Sequence, residues 1–116
     1  MEVQIFGFSD DQNTRKAQRF FAERRVKVHF VDLKRRAAQP GELRRFAQKH
    51  GLTTLVDRQS KAFAASGLAG RGLSEERWLT LLSEQPRLLR TPLVRCGQQL
   101  TVGLDEEAWQ GWIDSA

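Results

Sequence analysis

The chain has 116 residues, with 40% apolar and 28% charged side chains and a formal net charge of +5. That length suits one compact domain spanning 1–116, and the balance is that of a soluble globular protein rather than a disordered or fibrous one. Apolar runs of only a few residues exclude a membrane span, and a single cysteine, Cys96, excludes an internal disulfide, a dithiol cycle within one chain and a thiolate metal cluster.

Glu2 to Phe8 alternates apolar and polar residues and breaks at Gly7, the pattern of a first strand. A strand that turns directly into a helix presents free backbone N–H groups and the positive end of the helix dipole, where many α/β proteins hold an anion or a nucleophile. Here the turn offers two adjacent aspartates, Asp10 and Asp11, and no cysteine. Any of Ser9, Asp10, Asp11 or Asn13 is suited to cap the helix that follows. Ala17, Phe20, Phe21 and the stem of Arg24 recur at helical spacing and give it one buried stripe.

Val26 to Val31 reads as a second strand, with Val26, Val28 and Phe30 on one face and Lys27 and His29 on the other. His29 is therefore expected at an exposed edge, and its partner histidine, His50, in the last turn of a later helix. A metal site built from the two is not expected. Lys34 to Pro40 forms a polar connection, after which Pro40-Gly41-Glu42 opens a helix with Leu43, Phe46 and Ala47 inward and Gly51 closing it. Asp57 to Ser66 carries a weaker helical pattern through Ala62, Phe63 and Ala65. Gly67, Gly70 and Gly72 then mark a loop.

Ser74 caps a further helix bearing Trp78, Leu79, Leu81 and Leu82, and Pro86 follows it. Thr91-Pro92 leads into two short strands around Gly97, an antiparallel hairpin that carries Cys96. A last helix starts near Asp105, with Glu106 and Glu107 favouring its first turn and Ala108, Trp109, Trp112 and Ile113 forming its stripe. The three tryptophans read as core and hairpin-covering residues. The element order β-α-β-α-(α)-α-β-β-α predicts a thioredoxin-like α/β fold with a mixed sheet of about four strands and a helical insert.

The positive residues gather at Arg15, Lys16, Arg19, Arg24 and Arg25, at Lys34, Arg35 and Arg36, and at Arg44, Arg45 and Lys49. No helix-turn-helix pattern and no interleaved aromatics accompany them, so nucleic acid is not the expected partner. They read as solvated helix surfaces that remain compatible with an acidic protein.

Several segments together resemble the ArsC/Spx family, arsenate-reductase-related proteins of thioredoxin (glutaredoxin-like) fold. They are Ile5-Phe6-Gly7, Arg15-Lys16-Ala17, Val31-Asp32-Leu33, Glu42-Leu43 with Gly51, Ser60-Lys61-Ala62-Phe63, the block Glu84-Gln85-Pro86-Arg87-Leu88-Leu89-Arg90-Thr91-Pro92-Leu93, and Val102-Gly103. The resemblance implies a cis-proline site at Thr91-Pro92 and a ligand-binding region drawn from Asn13, Thr14, Arg15, Arg58, Gln59, Arg90, Thr91 and Pro92. It also implies a nucleophilic cysteine after Gly7, but that position falls on Asp11, and the second cysteine position falls on Thr14. The family's oxyanion-binding arginines fall on Gln59, beside Arg58, and on Thr91, beside Arg90.

A thiolate at a helix N-terminus is the group that attacks arsenate or a disulfide, and a carboxylate cannot replace it. Two carboxylates at the turn would also repel an incoming oxyanion, by roughly 4 kcal/mol for a like-charge contact at about 4 Å and an effective dielectric of about 20. The expectation is thus a non-catalytic, pseudoenzyme-like ArsC relative, cytoplasmic, with no cofactor. It would act as a protein-binding or regulatory module, for which Spx contact with RNA polymerase is the family precedent. The competing expectation is an oxidoreductase of the arsenate reductase or glutaredoxin type, using glutathione and a thiol from Cys96 or from a partner.

Overall fold

The computed structural model describes residues 1–116. In chain order the elements are β1 (Glu2–Gly7), α1 (Gln12–Glu23), β2 (Lys27–Asp32), α2 (Pro40–His50), α3 (Leu52–Leu55), α4 (Lys61–Ser66) and α5 (Glu75–Glu84). A 3-10 turn (Pro86–Leu88), β3 (Leu93–Cys96), β4 (Gln99–Val102) and α6 (Glu106–Ser115) complete them. The backbone falls into two compact units, one of Met1–Arg36 with Thr91–Ala116 and the other of Ala37–Arg90.

The first unit holds the whole sheet, in the order β2-β1-β3-β4. β1 pairs in parallel with β2 and antiparallel with β3, which pairs antiparallel with β4. Parallel strands need a crossover, and α1 supplies it. The register sets Ile5 opposite both Phe30 and Val94, so one face of the sheet carries Val3, Ile5 and Val94 towards Ala17, Phe20 and Phe21 of α1 and Trp109 of α6. Strand side chains alternate, and on the opposite face the row Phe6, Val31 and Leu93 is buried as well. Phe20, Phe21 and Trp109 meet with ring centroids 5.2–5.5 Å apart.

Trp109 is fully buried, and its indole N–H donates to the Thr101 hydroxyl at 2.8 Å. Removing that acceptor with Thr101→Val leaves a buried donor unpaired, which costs about 1–3 kcal/mol. Urea unfolding should register that loss. A change under about 0.5 kcal/mol would mean that the indole finds another partner.

β2 runs one residue later than the alternation suggested, from Lys27 rather than Val26, because Arg25 takes a positive φ of 59° and turns the chain after α1. Val26, Val28 and Phe30 nevertheless lie against the core as expected. β2 is an outermost strand, and His29 stands on it exposed, its Nε2 3.1 Å from Glu2 Oε2. The His29 hydrogen bond and then the Lys27 charge hold the exposed Glu2 carboxyl below its ordinary 4.5. The hairpin turns at Gly97, whose φ of 60° is the left-handed conformation that favours glycine.

The second unit is the helical insert. α2 begins at Pro40 with Glu42 Oε1 accepting from the Gln39 backbone N–H at 3.2 Å, and buries Leu43, Phe46 and Ala47. Gly51, at φ 88°, ends α2 and starts α3, a single turn over Leu52–Leu55 that carried no periodic signal. α4 begins at Lys61 rather than near Asp57, because the Ser60 hydroxyl caps it by accepting from Phe63 N–H at 3.0 Å. Phe63 is buried, whereas Ala65 is exposed and Leu81 of α5 only half-buried. Arg44 reaches Glu76 at 2.8 Å, joining α2 to α5. No helix is long and apolar enough to cross a membrane.

Candidate functional site

The turn between β1 and α1 lies wholly within the first unit. Asp11 is the N-cap of α1: its backbone is extended (φ −84°, ψ 125°) and Oδ2 accepts from the Thr14 backbone N–H at 3.1 Å. Short polar side chains take this position because the first helical N–H groups lack partners. Oδ2 also accepts from the Thr14 hydroxyl at 2.7 Å and from the Thr91 hydroxyl at 2.8 Å. Three donors therefore converge on one carboxylate oxygen, two from the first turn of α1 and one from the segment that enters β3.

Thr14 is fully buried beneath Gly7. A β-carbon placed on Gly7 would stand 2.7 Å from Thr14 Cγ2 and closer still to its hydroxyl. The glycine that ends β1 thus makes room for the threonine that fastens the cap. Thr91 precedes a cis peptide bond to Pro92, the conformation expected there, and Pro92 O accepts from Gly103 N–H at 2.8 Å. Arg15 turns back over the loop, its guanidinium donating to Ser9 O at 3.1 Å. Asn13 is half-buried in the first helical turn.

The electrostatic expectation for this turn needs correcting. Asp10 is not an uncompensated second negative charge: Lys34 Nζ lies 3.1 Å from its Oδ2. The pair is half-exposed and weak, but it places a cation where bare repulsion was expected. What disfavours an incoming oxyanion is occupancy. The Thr14 N–H, Thr14 hydroxyl and Thr91 hydroxyl already serve an anion attached to the chain, and a free ligand competes with an intramolecular group at high effective concentration.

The structure brings Asp11, Thr14, Arg15, Thr91 and Pro92 into the first unit. Arg58, Gln59 and Arg90 belong to the second, where each has local work. The Arg58 guanidinium lies over the rings of Phe63 and Trp78, at 5.3 and 5.9 Å from their centroids. Cations favour such aromatic faces. Gln59 is exposed, its backbone N–H donating to Asp57 Oδ1 at 3.2 Å. Arg90 donates through Nε to Thr54 O at 3.0 Å and through its backbone to Leu55 O at 2.7 Å. Cys96 ends β3 half-buried against the cluster that holds Val94, Phe21 and Trp109, in register with Gln99.

Sequence reasoning placed Thr14 and Thr91 among the ligand-binding residues, at positions where the family resemblance implies a cysteine and an arginine. It did not find that both are donors to Asp11. The pattern Asp-x-x-Thr from Asp11 to Thr14 held half of that information, since the third helical residue is the one whose N–H an N-cap side chain receives. Nothing local signalled the Thr91 hydrogen bond, which joins positions 80 residues apart.

A mixed sheet with a parallel β-α-β start, a closing antiparallel hairpin, a cis-proline and a helix N-terminus at the end of β1 defines a thioredoxin-like fold. Residues 6–112 match the ArsC family, and the chain belongs to that family. Among solved structures, the YffB (PA3664) protein superimposes with a TM-score of 0.86 at 24% identity, covering 94% of this chain and 96% of that one. An arsenate reductase from Vibrio cholerae gives 0.83 at 18% identity, with 96% and 97% covered. At these identities the likeness is one of fold. A search among curated protein sequences finds no match.

Proposed function

We propose that this chain is a non-catalytic member of the ArsC family that serves as a protein-binding or regulatory module. The observation that carries the reading is the Asp11 cap. The position that the family resemblance gives to a nucleophilic cysteine holds a carboxylate, and three donors fasten that carboxylate to the chain itself. Such a group offers no sulfur to attack arsenate or a disulfide. It also fills the place where an oxyanion would be held. A cytoplasmic setting and a protein partner accord with this reading, with Spx contact to RNA polymerase as the family precedent.

The competing reading assigns arsenate or disulfide reduction to Cys96 with glutathione. Cys96 sits on a strand rather than at a helix N-terminus, packed against apolar side chains, and so lacks the surroundings that activate a thiol. Arsenate reduction and glutathione–disulfide exchange should be assayed with glutathione and glutaredoxin supplied, for the natural chain and for Cys96→Ser. The expected result is background turnover for both. Turnover in the natural chain that Cys96→Ser abolishes would overturn the non-catalytic reading.

A further inference from the structure

The outer side of α1 carries a second feature that the cap does not use. Lys16, Arg19, Phe20, Glu23 and Arg24 form one wall of a groove of about 330 Å³, and Leu104, from the turn between β4 and α6, and Glu106, the first residue of α6, line it as well. From Lys16 to Arg24 the helix rises about 12 Å, the span of three or four residues of extended peptide. Leu104 is 41% exposed, one of only two large apolar side chains so open; the other is Met1. A lone exposed leucine is ordinary on a protein surface; Leu104 matters because it borders a groove that Lys16, Arg19 and Arg24 also line.

Arg24 is fixed in advance. Its guanidinium lies 3.7 Å over the Phe20 ring, with Nε donating to Gln110 Oε1 at 2.9 Å and a terminal nitrogen donating to Phe20 O at 3.1 Å. Two of its five N–H donors are so committed, and the others remain for a ligand. Ordering a long side chain before binding removes part of the entropy that binding would otherwise lose.

We propose that this groove docks a short segment of a partner protein in which an apolar side chain is flanked by aspartate or glutamate. The proposal rests on the binding-module reading and gives that module a surface and a partner chemistry. The apolar side chain packs on Leu104, and carboxylates meet Lys16, Arg19 and Arg24. Glu23 and Glu106 make the groove selective: a carboxylate placed beside them is repelled, so the acids must lie towards the cations.

A nucleic-acid strand fits less well. Its evenly spaced phosphates would have to pass Glu23 and Glu106, and the Phe20 face that could stack a base is already covered by Arg24. A lipid surface would find one leucine and no apolar helix face.

The test is selection of random dodecapeptides displayed on phage against the immobilised full chain, followed by affinity measurement of the selected peptides. The expected outcome is a consensus of a large apolar residue flanked by Asp or Glu. Leu104→Ser and Lys16→Glu/Arg19→Glu should each weaken binding about tenfold or more, the equivalent of about 1.4 kcal/mol. Arg24→Met should do the same, whereas Arg45→Glu on the exposed side of α2 should change it less than about twofold. Circular dichroism of each variant checks the fold, and the surface positions of Leu104, Lys16 and Arg19 keep at least those variants informative.

An absence of binders, a consensus without acids, indifference to Leu104→Ser, or equal weakening by Arg45→Glu would each overturn the groove. So would displacement of the peptides by a single-stranded 20-mer DNA whose binding depends on the same side chains. Loss of the groove would leave the thiol assays untouched. Turnover in those assays would remove the non-catalytic reading without altering a measured peptide affinity.

Discussion

Gly7→Ala should destabilise the protein by about 3 kcal/mol or more, a large penalty for one methyl group. The reason is steric: Gly7 does not have a positive φ, so alanine meets no backbone obstacle. Its β-carbon would instead stand 2.7 Å from Thr14 Cγ2 and 3.0 Å from Thr14 Cβ. A forced methylene in a packed site typically costs about 1–3 kcal/mol. Thr14 cannot yield cheaply, because rotating it breaks its hydroxyl bond to Asp11, and hydrogen bonds to charged groups contribute about 1.5–3 kcal/mol.

The double variant is the stricter test of that clash. Thr14→Ala alone loses the hydroxyl bond and is destabilising. In Gly7→Ala/Thr14→Ala the two closest atoms are gone and only the contact at 3.0 Å remains. The double variant should therefore lose less than the sum of the singles, with a coupling of at least about 1 kcal/mol in urea unfolding. Strict additivity would show that Gly7 is needed for some reason other than Thr14.

The same pair of residues marks how far the sequence could be read. The stripe Ala17–Phe20–Phe21, the hairpin at Gly97, the Ser74 cap and the start of the last helix near Asp105 were legible because each rests on a local period or a local hydrogen bond. α3 and the 3-10 turn at Pro86–Leu88 were not, since one helical turn is too short to establish a period. The apolar spacing of Ala62, Phe63 and Ala65 does not reveal where α4 starts, because Ser60 decides that boundary. At the site, Asp11 was legible as a cap candidate, but its hold on Thr91 was not. That bond exists only because β3 lies beside β1 and brings the residue before Pro92 to the end of α1. Long-range pairing of this kind has no sequence period to betray it.

Chemically, the three donors are indifferent to what anion they receive, and this gives the second large effect. Asp11→Cys, made in a Cys96→Ser background so that one thiol is present, should yield a cysteine with a pKa of about 7 or lower, against about 8.5 for an unperturbed thiol. The N-terminus of α1 favours the thiolate through its dipole, and the Thr14 N–H and the Thr14 and Thr91 hydroxyls are aimed at the space it would share. Sulfur hangs one atom closer to the backbone than Oδ2 does, so these bonds lengthen. Its greater radius recovers part of the distance. Lys34 beside Asp10 limits the opposing charge.

The rate of alkylation by iodoacetamide against pH reads this pKa directly. Folding stability supplies a second and independent measure with a definite sign. A thiol whose pKa is lower in the folded chain than in the unfolded chain contributes stability that is complete above the unfolded value near 8.5. That contribution is lost as pH falls through the folded value, at about 1.36 kcal/mol for each unit of separation. Relative to Asp11→Ser/Cys96→Ser, the cysteine variant should accordingly gain stability between about pH 7 and 8.5. Thr91→Val in the same background should raise the thiol pKa, and Thr91→Arg should lower it further by adding a cation beside the sulfur. An alkylation pKa near 8.5 with no response to position 91 would show that the donors serve Asp11 alone. It would also remove the argument that the carboxylate occupies an anion cradle.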